Sequence, residues 1–220
     1  MDYKRLTLLC GHYGSGKTNV AVNMAFELKS MYGDVAVADL DIVNPYFRTK
    51  DSSEDFKKRG IRLICSEYAN TNIDIPALPD EMYAINDDKR FKMILDIGGD
   101  DRGALALGRL APGILAENNY DMLMVINCYR PLTPDPQSVV EVMREIGYAC
   151  KIPFTGIVNN SNLGDQTTPD DVVKSFGFAD EVSEITGLPI IATTVEKGLY
   201  GALKDKTASL MPLELQKKII

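Results

Sequence analysis

No apolar run in the 220 residues approaches the roughly 20 positions a helix needs to cross a bilayer, so the chain is read as a protein that does not span a membrane. Nor is there a basic cluster of the kind that tracks a phosphate backbone. The formal net charge is −7, which disfavours non-specific nucleic-acid binding. Histidine occurs once, at His12, too few to build a histidine metal site. The four cysteines, Cys10, Cys65, Cys128 and Cys150, never fall as C-x-x-C. Three of them sit in or beside apolar runs, the pattern of reduced thiols in a core rather than of a cluster carrier. A signal peptide is also lacking, because Met1-Asp2-Tyr3-Lys4-Arg5 leads straight into an apolar run; a cytoplasmic protein is the expectation. Repeats, low-complexity tracts and linker-like shifts in composition are absent, so residues 1–220 are expected to form one domain.

What is present begins at residue 6. Leu6 to Cys10 is an apolar run of strand length, followed by Gly11-His12-Tyr13-Gly14-Ser15-Gly16-Lys17-Thr18, a match to G-x-x-x-x-G-K-[ST]. Val20, Ala21, Met24, Ala25, Leu28 and Met31 then repeat at helical spacing up to the stop at Gly33. A glycine-rich loop between strand and helix is the setting in which successive N–H groups can wrap a polyphosphate. The helix N-terminus adds unpaired donors and the positive end of its dipole. Lys17 is placed to reach the β- and γ-phosphates, and the Thr18 hydroxyl to ligate Mg²⁺. A dinucleotide fold is the competing reading of Gly14-Ser15-Gly16, and it fails because Asn19 stands at the third glycine position.

Strand-like runs alternate with helical patterns along the rest of the chain. Strands are predicted at Val35–Leu40, Ile61–Cys65, Met93–Ile97, Met122–Asn127, Phe154–Val158 and Pro189–Ala192. Helices are predicted over Ala77–Ile85, Val139–Ile146 and Asp170–Ile185, with a broken one over Leu105–Leu115 near Pro112. The tail from Leu203 reads as a closing helix interrupted at Pro212, packed on the core rather than on a membrane. The expected fold class is α/β: a three-layer P-loop NTPase fold, its central sheet mostly parallel and covered by helices on both faces.

Two acidic strand ends complete the pattern. In Asp39-Leu40-Asp41 alternation puts both acids on one side of the strand, beyond whose carboxyl end ligands of open α/β sheets lie. In Asp96-Ile97-Gly98-Gly99 a carboxylate ending an apolar strand suits Mg²⁺, and the glycines allow backbone N–H groups to approach a γ-phosphate. Asp100 or Asp101 is expected to cap the next helix, with Arg102 following. After the sixth strand, Asn159-Asn160-Ser161-Asn162 stands where guanine-reading proteins of this kind carry N-K-x-D. Neither the lysine nor the aspartate is there, and a carboxamide suits the adenine edge.

Gly16-Lys17-Thr18-Asn19-Val20-Ala21-Val22-Asn23-Met24-Ala25 resembles the opening of the MinD/ParA-type ATPases, the group that includes the CobQ/CobB-like proteins. The chain departs from them at His12, where their signature lysine stands. The nickel-inserting maturation GTPases have loops similar to Gly14–Thr18 and share that departure. The resemblance implies a Mg·ATP-binding switch with slow hydrolysis. It implies that Gly11, Gly14, Ser15, Gly16, Lys17, Thr18, Asn19 and Gly99 surround the phosphates, and that Thr18, Asp39 and Asp96 hold Mg²⁺. Lys17 and Asp41 then carry the chemistry, Asp41 by orienting water, while Asn159 or Asn160 meets adenine and Thr193–Glu196 encloses it. Its members also resemble one another in forming a nucleotide-dependent homodimer, in which the signature lysine crosses to the partner's phosphates. An imidazole at His12 brings one hydrogen bond where an ammonium brings a full charge; Arg48 and Arg102 are rival cations. Two alternatives stand beside this reading: an accessory GTPase or ATPase for metal-centre maturation, and a dethiobiotin-synthetase-like ligase or kinase. The protein client is not legible in any motif.

Overall fold

In the computed structural model of the chain, residues 3–40, 52–65, 80–99 and 101–215 are described. Among the described residues eight strands form one sheet: β1 (Leu6–Cys10), β2 (Val35–Leu40), β3 (Arg62–Cys65), β4 (Lys92–Ile97), β5 (Tyr120–Ile126), β6 (Gly156–Asn159), β7 (Ile190–Glu196) and β8 (Leu210–Leu213). Their order is β3-β2-β4-β1-β5-β6-β7-β8, and every pairing is parallel. The sheet is thus wholly parallel rather than mostly so. β1 and β2 are buried at every position, because a parallel sheet carries helices on both faces and leaves no strand residue to solvent.

Among the described residues seven helices supply that cover: α1 (Lys17–Met31), α2 (Ser53–Arg59), α3 (Asp80–Asp87), α4 (Asp101–Glu117), α5 (Pro136–Cys150), α6 (Pro169–Thr186) and the short α7 (Tyr200–Leu203). One layer packs Met24, Ala25 and Leu28 of α1 and Phe56 of α2 against Leu9, Val37 and Ile94. The opposite layer packs Leu107, Leu110 and Ile114 of α4 and Ile146 of α5 against Leu8, Ala38 and Leu95. Alternation along each strand deals its side chains to these two layers in turn.

Four elements differ from the sequence-based expectation. The stretch before Gly60 is helical: α2 carries one apolar anchor, Phe56, with acids in its first turn, bases in its last and Gly60 as its left-handed stop. Its stability comes from the dipole and one aromatic contact, Phe56 on Phe26 at 5.8 Å between ring centroids, and a single apolar residue leaves no periodicity to read. α4 runs through Pro112 unbroken because the core holds both turns around it. The tail forms β8 and not a helix; Pro212 is exposed there, and an edge strand tolerates the missing N–H. β7 continues to Glu196, so Thr193–Glu196 is strand rather than loop. Asp41, Arg48, Asp100 and the tail after Leu215 lie outside the described residues, as do the side chains of Asp101 and Arg102.

Candidate functional site

The strands end in a common row. Leu9 and Asp39 are both register partners of Asp96, and Asn159 is partnered by Ile126 on one side and Thr193 on the other. β1 lies mid-sheet, with β2 to β4 laid down on one side of it and β5 to β8 on the other. The reversal of strand order places a crevice at the carboxyl end of β1, where residues 11–16 lead into α1.

Gly16 is the N-cap of α1 in the left-handed conformation, φ 87°, and α1 has no side-chain cap. α5 and α6, by contrast, close their N-termini with capping boxes, Asp135 with Ser138 and Thr168 with Asp171. The N-terminus of α1 is thus left without a side-chain acceptor, a setting that suits an anion. Lys17 is buried at 4% exposure and its Nζ donates to Gly11 O at 2.9 Å and His12 O at 3.3 Å. An ammonium has three donors, so one remains for a phosphate oxygen. Ser15 is also buried, and its hydroxyl has no hydrogen-bond partner. An orphan hydroxyl, an uncapped helix and a buried lysine together fit a polyphosphate.

Two strands press on this loop. A Cβ on Gly99 would fall 2.7 Å from Tyr13 N and 2.9 Å from Gly11 O, so only glycine lets the end of β4 approach the loop backbone so closely. A Cβ on Gly16 would lie 2.2 Å from Asn160 Nδ2. Asn160 donates from that nitrogen to Ser15 O at 2.6 Å, and its Oδ1 accepts from Thr194 Oγ1 at 2.5 Å. Asn159 is fully buried on the other side of the strand, donating to Ser175 Oγ at 2.9 Å and accepting from Ser161 N at 3.2 Å. Both carboxamides therefore brace the protein itself. Asn159 presents no surface to a base here, and Asn160 is tied to the phosphate loop.

Asp39 and Asp96 are buried register partners on neighbouring strands. Alternation places both on the face that carries α1, since Val37 and Ile94, two residues before each, pack in that layer. Thr18, in the first turn of α1, is 6% exposed. A hydroxyl and one or two carboxylates, with the remaining positions left to water and phosphate, is a donor set suited to Mg²⁺. Among the described residues no group of three or more His, Cys, Asp or Glu could hold a metal by itself. Asn19 lies one position further along α1, its carbonyl accepting from Asn23 Nδ2 at 2.8 Å. His12 is half-buried, with Nδ1 3.1 Å from Tyr13 O.

The cysteines divide. Cys10 and Cys150 are buried, and burial pushes both thiols up, as expected of inert core residues. Cys65 and Cys128 are instead partly exposed.

No family profile matches the chain, and no curated protein does. Solved structures do. The cell division protein FtsY of Thermotoga maritima superposes with a TM-score of 0.60 at 16% identity, over 86% of this chain and 61% of that one. The fold is that of a P-loop NTPase. Chloroplast FtsY of Physcomitrella patens gives 0.58 at 14% identity, over 88% and 59%. The signal recognition particle 54 kDa protein of Aeropyrum pernix, in complex with GDP, gives 0.51 at 15%, over 86% and 40%. This chain spans about three fifths of the length of those FtsY chains. At these identities the likeness is one of fold, and the comparisons lend no support to the narrower MinD/ParA resemblance.

Sequence reasoning missed two features of this site. One is the polar network that ties residues 159–162 to Asn127, Ser175 and Thr194; its sequence trace is the density of Asn and Ser after β6. The other is Arg130, whose stem lies across Gly14: from a Cβ built there, Arg130 Cδ is 3.8 Å away and Nε 3.9 Å. Its only trace is a single cation soon after an apolar strand.

Proposed function

We propose that the chain is a Mg²⁺-dependent nucleoside triphosphatase of low turnover, working as a nucleotide-controlled switch. The observation that carries this is the uncapped N-terminus of α1 beneath a loop holding a buried Lys17 and an orphan Ser15 hydroxyl. The loop amides and Lys17 bind and orient the phosphates, so that attack is in line and developing charge meets fixed donors. Thr18, Asp39 and Asp96 would hold Mg²⁺, which, when bound, neutralises charge on the phosphate oxygens. Asp41 is the proposed acceptor that orients the attacking water; its Asn variant should bind nucleotide and not turn it over. Association of two copies over the nucleotide, and an unidentified protein client, belong to the same reading.

For the base we favour adenine. No acid or lysine stands at Asn159–Asn162, and guanine recognition of the N-K-x-D type needs a carboxylate to accept two N–H groups. Guanine is the second reading, favoured by the GDP bound to the Aeropyrum pernix neighbour. Calorimetric titration of Mg·ATP and Mg·GTP decides between them. Tighter ATP binding is expected, and equal or tighter GTP binding would replace the adenine assignment. Lys17→Ala should abolish binding of either; because Nζ also bonds Gly11 O and His12 O, a modest fall in apo melting temperature is expected with the fold retained by circular dichroism.

A further inference from the structure

Arg130 sits in the loop between β5 and α5, and that loop is held on every side. Arg130 N donates to Asn127 O at 3.2 Å and Thr133 N to Arg130 O at 3.2 Å, which closes two successive turns. Cys128 N donates to Ser161 Oγ at 3.1 Å, and the Tyr129 hydroxyl donates to Asp171 O at 2.8 Å. The backbone that carries Arg130 is therefore pinned to the strand β6 side of the crevice and to the start of α6. From there the side chain lies against Gly14, with Cδ 3.8 Å and Nε 3.9 Å from where a Cβ on that residue would stand.

The head of that side chain is unmatched. Arg130 Nε is buried from solvent, yet has no hydrogen-bond partner. Among the described residues Arg5 pairs with Glu117 and Arg90 with Asp88, while Arg59 lies over the ring of Phe26; Arg5 Nη1 is also buried without a partner, but its guanidinium is already neutralised by a carboxylate, which that of Arg130 is not. Among the described residues no carboxylate pairs with Arg130. A desolvated N–H without an acceptor is costly, more so on a charged group, so its retention calls for an anion. The anion that belongs beside Gly14 is a bound polyphosphate. Residues 11–18 offer it only one lysine or arginine, Lys17.

We propose that Arg130 is a phosphate ligand of this site, reaching the bound nucleotide across Gly14 and serving in cis as the second cation of the phosphate loop. The inference rests on the nucleotide reading above. Arginine suits the role because its planar fork is fully charged at any working pH and pairs with phosphate by two parallel N–H bonds.

The test is the dissociation constant of the full chain for Mg·ATP and Mg·GTP, measured for the parent, Arg130→Gln and Arg130→Lys, with each apo melting temperature. Arg130→Gln is expected to weaken the preferred triphosphate at least tenfold with the apo melting temperature held within a degree. Arg130→Lys keeps the charge but has no Nε, and should fall between. A rise in salt should weaken the parent more than Arg130→Gln, since the variant has lost a charged contact. If Arg130→Gln binds within twofold of the parent, Arg130 is not a phosphate ligand. If its affinity falls together with a drop of several degrees in apo melting temperature, and Arg130→Lys restores both, the side chain braces the loop and the proposal is overturned. Should the parent bind neither triphosphate, or Lys17→Ala bind as the parent does, the nucleotide reading itself fails and this inference with it.

Discussion

The carboxamide of Asn160 joins two strands to the glycine-rich loop, donating to Ser15 O and accepting from Thr194 Oγ1 in a site almost wholly shielded from water. Removing it leaves the Ser15 carbonyl buried without that partner, at a cost of about 1–3 kcal/mol. Asn160→Ala should therefore lower the unfolding free energy read from urea denaturation by that amount and loosen nucleotide binding as well. Asn160→Asp, which sets an oxygen against an oxygen, should do worse. At the opposite end of the sheet, Arg5 donates to both oxygens of Glu117, with the pair almost wholly buried and a further bond from Arg5 to Ile85 O. The Arg5 hydrogen bond, aided by the charges of Arg5 and Lys89, holds the Glu117 carboxyl below its usual range. The sign follows from that lowering. The stabilisation is complete above the unfolded carboxyl value of about 4.3, and is lost as pH falls through the lower folded value. Glu117→Gln should cost stability at neutral pH, on the order of 3–5 kcal/mol, and make the acid limb of a stability–pH curve shallower. An acid limb identical to that of the parent would show that the pair contributes nothing to the pH dependence.

Among the helices, the contrast between α1 and α5 has a measurable side. α5 opens with Asp135 accepting from Ser138 N at 2.9 Å and Pro136 in its first turn, a start built for stability. Asp135→Ala should cost about 1 kcal/mol and lower the melting temperature by about 2–4 °C, without changing nucleotide affinity. α1 has no such cap, and its donors face the crevice. The elements also differ in how they could be read. α1, α5 and α6 are amphipathic and were legible with ends off by a few residues, because their apolar spacing is written locally. α2 was not, since Phe56 is its one buried residue. Pro212 misdirected the reading of β8, because proline marks an edge strand only once the sheet order is known.

At the scale of the whole molecule, a ligand that binds the folded chain alone raises its stability by mass action. The Mg²⁺ complex of the preferred triphosphate, at a hundred times its dissociation constant, should add about 2.7 kcal/mol. For a chain of this size that is a rise of about 5–10 °C in melting temperature, read by differential scanning fluorimetry and reduced when a chelator removes Mg²⁺. A rise that Lys17→Ala leaves intact would place the ligand elsewhere. The glycine-rich loop of residues 11–18, with its flanking strand and helix, was legible in the sequence alone. Eight contiguous residues write that motif, and it needs no distant partner to be recognised. The parallel sheet was equally legible, because strands covered on both faces leave continuous apolar runs. Which side chains meet was decided only by the tertiary structure. Asp39 stands beside Asp96 because β2 pairs with β4 in that register, and Asn160 rather than Asn159 faces the loop because alternation along β6 is set by what each face packs against. Arg130 reaches Gly14 because β5 lies next to β1. Sheet order and register are properties of long-range pairing, and nothing in the local spacing of residues encodes them.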